Sequence, residues 1–157
     1  MELPYELAEK ITFKRRKTSV SPEYRPVIKI AQLILVLFLS SRGKSANLQK
    51  FQLINWAFKS SDREKIVVDI TIDPLITTPL ISMDPSVNRA LQFAVAEKLM
   101  SFNNSTGKFT LTSKGEEFAE AIVNDKSVLL SEKALLKKLG QRVTDKVISI
   151  LFKERAF

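Results

Sequence analysis

The chain has 157 residues, 45% of them apolar, with a formal net charge of +8 and neither cysteine nor histidine. That length and apolar fraction suffice for one buried core with appendages. The missing His and Cys exclude Ser–His–Asp and Cys–His nucleophile sites and the common zinc sites, and the four glycines, at 43, 107, 115 and 140, are too scattered for a phosphate loop.

Carboxylate-only or lysine chemistry stays open in principle, but no catalytic residue, cofactor or metal ligand is assigned, and the chain is expected not to be an enzyme or to take a small-molecule substrate. A cysteine-free composition fits a reducing cytoplasm.

Residues 1–24 read as a basic N-terminal arm. A short amphipathic start (Leu3, Leu7, Ile11) leads into Lys14-Arg15-Arg16-Lys17 and a Ser/Pro stretch. The basic excess of the whole chain lies in its first third: residues 10–50 hold ten Lys/Arg against one acid, Glu23. Such a patch can release condensed counterions from phosphates and bind nucleic acid without reading sequence. The competing reading is a solvated arm or a dock for an acidic partner.

A core region, 25–123, opens at Arg25-Pro26, with proline at a helix start. The run Val27–Leu39 is the most hydrophobic of the chain, yet its 13 residues include Lys29 and Gln32. A bilayer crossing needs about 20 apolar residues, so this is expected to be the central buried helix and not a membrane span. Ser41 to Ser45 form a turn that places Arg42 and Lys44 beside each other. Asn47 is a good N-cap for a second helix to about Lys59, with Leu48, Phe51, Ile54 and Phe58 on one side. Ser61-Asp62-Arg63-Glu64 has capping-box spacing, but the β-branched Ile66-Val67-Val68 leaves helix and strand unresolved over 62–72. Pro74 and Pro79 exclude a continuous helix. Leu80 to Met83 reads as a short strand able to pair with a later hairpin.

Asp84-Pro85 pairs an N-cap with an N1 proline and starts a helix running to about Met100. Asn103 to Gly107 is turn chemistry, and Lys108 to Thr112 alternates polar and apolar as a half-buried strand does. Ser113 to Gly115 break it, and Glu116–Val123 resumes helical spacing. Asn124 to Lys126 begin a C-terminal helical extension, 124–157, with helices over Ser131–Leu139 and Gln141–Lys153 separated by a Gly140 C-cap. Val143, Val147, Ile150 and Leu151 share a face of the last helix. A helix, a two-stranded ribbon and a returning helix resemble the winged helix-turn-helix, with the hairpin as wing. The fold class expected is therefore mainly α with a small β-hairpin.

In such a scaffold the helix before the wing enters the major groove and reads base edges. On a helical wheel Val87, Leu91, Ala94 and Val95 form the core face, but Phe93, Ala96 and Met100 on the other side are apolar too. Only Asn88, Arg89 and Gln92 remain as a polar stripe. A helix apolar nearly all round is usually buried on both sides, which favours packing or a protein partner over base reading. The candidate nucleic-acid contacts are thus Lys14, Arg15, Arg16, Lys17, Arg42, Lys44, Arg89 and Lys108. The candidate partner contacts are Phe93, Met100, Val147, Ile150 and Leu151.

Four segments, FQLINWAF (51–58), DPSVNRALQFAVAEKLM (84–100), FTLTSKGEEFAEAI (109–122) and LSEKALLKKLGQRVTDKVISILF (130–152), together resemble the small middle components of bacterial three-component ABC-ATPase conflict systems. In those a Rad50/SMC-like coiled-coil ATPase is encoded beside a winged-helix-like protein and a variable effector. The resemblance implies a non-catalytic adaptor that contacts the ATPase, with DNA as a further contact, and relays activation to an effector in anti-phage or anti-plasmid defence. The alternative is a winged-helix transcriptional regulator, homodimeric on a palindromic site.

Overall fold

The computed structural model describes residues 25–153, which form seven α-helices and one three-stranded antiparallel sheet. The order is α1 (Pro26–Ser40), β1 (Ser45–Asn47), α2 (Leu48–Phe58), α3 (Ser61–Ile72), α4 (Pro85–Ala96), β2 (Met100–Asn103), β3 (Lys108–Leu111), α5 (Ser113–Asn124), α6 (Leu130–Leu139) and α7 (Asp145–Lys153). The fold is mainly helical with a small sheet, as the sequence pattern predicts. None of these helices is long and apolar enough to cross a membrane.

Helix α1 is the central buried element. Leu33 to Leu37 are all within 1% of full burial, and α2, α4, α5 and α6 pack around it. Side chains secure its end: the Ser41 hydroxyl donates to Val36 O at 2.8 Å, and the Lys50 ammonium donates at 2.6 Å to Ser40 O, one of the last carbonyls that the helix itself leaves without a partner.

Helix α2 is buried on every side from Lys50 to Ala57 and separates two hydrophobic clusters. Phe51 and Ile54 join α1, Leu91 of α4, Met100 and Leu111 in the first. Leu53 and Trp56 join Val67 and Ile70 of α3, Leu139 of α6 and Val147, Ile148 and Leu151 of α7 in the second. The stretch that the sequence left unresolved is helical: Ser60 accepts from the Arg63 amide at 3.2 Å, and the acids Asp62 and Glu64 lie in the first turn.

The strands lie in the order β1-β3-β2. The hairpin's second neighbour is therefore β1, through Ser45↔Thr110 and Asn47↔Lys108, and the strand expected at Leu80 to Met83 does not form. In that segment only Ile81 turns into the core, while Leu80 and Met83 are exposed. The pleat sends Ala46, Phe102 and Phe109 to one face and Ser45, Ser101 and Thr110 to the other. At the hairpin tip Asn103 Oδ1 accepts from the Ser105 amide at 2.9 Å, and Gly107 takes the left-handed φ of 68°.

Helix α4 stops at Ala96, four residues earlier than its apolar spacing suggests. Lys98 adopts φ 59°, the Leu99 amide donates to Ala94 O at 2.9 Å, and the Lys98 amide donates to Val95 O at 3.0 Å. That pair of bonds is a Schellman stop with lysine where glycine is usual. Helix α7 also starts later than expected, at Asp145, behind Thr144, whose hydroxyl accepts from the Val147 amide at 3.3 Å.

Candidate functional site

The start of α4 is held by a buried polar network that the all-round burial of α2 requires. The Lys29 ammonium donates to Asn55 Oδ1 at 2.6 Å, and Asn55 Nδ2 donates to Asp84 Oδ2 at 3.2 Å. Gln52 grips the Asp84 backbone at both ends, accepting from its amide at 2.8 Å and donating to its carbonyl at 3.0 Å. Lys59 completes the set with an ion pair to Asp84 Oδ2 at 3.4 Å. Burial pushes the Asp84 carboxyl up, but the hydrogen bonds from Ser86 and Asn55 and the Lys59 charge outweigh it and hold the group at about 2.

With its start fixed, α4 presents one side to the hairpin. Leu91, Val95 and Ala96 of the helix face Phe102 and Phe109 across an open cleft of about 510 Å³, floored by Leu48 of α2. The Phe102 and Phe109 rings stack at 4.7 Å, and Phe51 meets Phe109 edge-on at 5.9 Å, which fixes the cleft wall to the core. Asn88 and Gln92 supply its polar rim, and Asn88 is already engaged by Gln52. Phe93 lies on the neighbouring side of α4, 55% exposed, and Phe102 is 46% exposed.

The sequence-predicted contacts divide sharply. Lys14, Arg15, Arg16 and Lys17 lie outside the described residues. Lys44 is committed within the chain: its ammonium sits 3.0 Å from Glu116 Oε1 and 5.3 Å from the centre of the Phe38 ring. Arg89 is exposed on α4 and lines a cavity with Phe93, Arg25 and Lys29. Arg42 and Lys108 do meet, in a separate polar cavity to which α2 adds Lys50 and α7 adds Lys146. Those last two were not singled out in the sequence, because each comes from a different element and no local pattern joins them.

Of the apolar candidates, Phe93 is available on the surface and Ile150 is half-buried. The other three are corrected by the structure. Met100 is 1% exposed because it belongs to β2 and points into the first cluster, while Val147, 8% exposed, and Leu151, 4% exposed, belong to the second cluster, in which α7 packs on α2. Those side chains hold this chain's own core and offer nothing to a partner. Phe102 was missed for the converse reason: in the sequence it only leads into the Asn103–Gly107 turn, and it is the pairing with Phe109 that stands its ring in the cleft.

No protein family model, no curated protein and no solved structure matches the chain.

Proposed function

We propose that this chain is a non-catalytic adaptor subunit on a winged helix-turn-helix scaffold, and that the face made by α4 and the hairpin binds protein. The order α1–β1–α2, then α4–β2–β3, with strands arranged β1-β3-β2, supports the scaffold reading. The apolar cleft between α4 and the hairpin, with Phe93 and Phe102 exposed beside it, carries the functional reading. A base-reading surface needs hydrogen-bonding groups that reach into a groove, whereas exposed aromatic rings around an apolar cleft are the makings of a protein contact. The sequence likeness supplies the partners: an SMC/Rad50-like ABC ATPase and an effector subunit of a bacterial defence complex.

The test is co-purification with the coiled-coil ATPase, comparing the native chain with Phe93→Glu and Phe102→Glu. Both side chains are solvent-exposed, so the variants fold, which circular dichroism checks, and they lose the partner. The regulator reading rests on Asn88, Arg89 and Gln92, all exposed on α4. Nanomolar binding of a homodimer to one palindromic site, lost on changing those three to Ala while both Phe variants bind normally, replaces the adaptor with a DNA reader.

A further inference from the structure

The cavity on the other side of the hairpin is built unlike the apolar cleft. Arg42 reaches it from the turn after α1, Lys50 from the first turn of α2, Lys108 from the start of β3 and Lys146 from the first turn of α7. Among the described residues, four cations thus converge from four elements on a volume of about 470 Å³, against a single carboxylate, Asp145. Thr144, Ser45 and Gln141 add further hydrogen-bond donors to the walls. Nearly every polar group present donates, which is the complement of an oxoanion and the reverse of a metal site. The volume falls in the range of small-ligand sites, roughly 300–1,000 Å³.

We propose that this cavity is a phosphate-binding site. It lies apart from the α4 cleft and goes beyond the adaptor reading. The internal charge balance fits an anion that comes and goes. Asp145 Oδ2 sits 2.7 Å from the Lys108 ammonium, so the one carboxylate neutralises one cation while the site is free of ligand. Lys50, only 5% exposed, keeps its ammonium on Ser40 O at 2.6 Å, and an arriving dianion would offset the cost of holding that charge out of water. Burial, with a smaller contribution from Lys108 set against the raising effect of Asp145, brings the Lys50 ammonium down to about 8, so it remains charged near neutrality. Among the described residues no aromatic ring lines the cavity to stack a base. The phosphate itself, whether of a free phosphorylated small molecule or of a nucleic-acid backbone, is the recognised group.

The test is titration of the full chain with pyrophosphate and, separately, with a duplex DNA oligonucleotide carrying hydroxyl ends. The Arg42→Ala/Lys146→Ala double variant removes two exposed cations and is expected to weaken binding by roughly tenfold or more, the loss of two charge-assisted contacts. Asp145→Asn frees Lys108 and is expected to tighten it. A charge-matched control, Lys137→Ala/Lys138→Ala on the exposed side of α6, is expected to leave it unchanged. Cavity-dependent binding of pyrophosphate identifies a free phosphate ligand, and cavity-dependent binding of the duplex alone identifies a nucleic-acid phosphate; both sustain the site. Equal weakening by the cavity and control pairs, or no binding of either probe, overturns it.

Discussion

Gly115 lies in the first turn of α5, and a Cβ built there would stand 2.1 Å from Leu99 O and 2.7 Å from Leu111 Cδ1. Its role is close approach, since no positive φ is involved, and it lets α5 pass over the junction between α4 and the hairpin. Thr112 secures the same crossing: its hydroxyl donates to Lys98 O at 2.6 Å and accepts from the Gly115 amide at 3.1 Å. Helix propensity alone would make Gly115→Ala stabilising by about 1 kcal/mol. The clash is with a backbone carbonyl that cannot rotate aside, so overpacking decides the sign. We expect Gly115→Ala to lower stability by about 2 kcal/mol in urea denaturation. Adding Leu111→Ala will not restore it, because the Leu99 carbonyl remains.

At the scale of elements, the stops and starts separate into those with a local signature and those without. Asn47, whose side chain accepts from the Lys50 amide, and Asp84-Pro85, whose carboxylate accepts from the Ser86 amide, declare α2 and α4 in the sequence, and Gly140 ends α6 as read. The end of α4 is hidden because the left-handed position belongs to Lys98, and lysine carries no turn signal. That one residue explains why Met100 reads as a member of the helix and lies in β2. The three-residue β1 is equally silent, since its pairing with β3 spans some 60 positions of chain and its sequence, Ser-Ala-Asn, has no strand preference. Lys98→Gly removes the steric cost of the left-handed conformation while keeping both Schellman bonds. We expect it to stabilise the protein by about 0.5–1 kcal/mol, read as a raised midpoint in chemical denaturation. An unchanged or lowered midpoint would mean that the lysine side chain, not the backbone, holds that stop.

Across the whole molecule, the buried helix α2 ties the two hydrophobic clusters together, and its polar residues tie α1 to α4. The apolar half of that arrangement follows from periodicity, but which face of α7 meets α2 does not, so Val147 and Leu151 read as surface until the second cluster is assembled. The polar half was legible only as isolated signals, Asp84 as a cap and Lys29 as an interruption in an apolar run. Their meeting through Asn55 depends on three helices at once. Asp84 makes this assembly sensitive to acid. Its folded carboxyl sits at about 2 against an ordinary 3.8, so its contribution is complete above pH 3.8 and disappears as pH falls towards 2. Unscreened, the shift corresponds to about 2 kcal/mol; solvent screening at this partly exposed carboxyl reduces its contribution to about 1 kcal/mol. Asp84→Asn retains a capping side chain but has no charge for Lys59 and no proton to gain. The stability gap between the native chain and Asp84→Asn, from urea denaturation, should therefore be constant between pH 5 and 7 and shrink by about 1 kcal/mol on approaching pH 2. Because the other carboxylates titrate in both proteins, the difference isolates this one. A gap that stays constant down to pH 2 would mean that hydrogen-bond geometry alone, and not the charge on Asp84, joins α4 to the rest of the core.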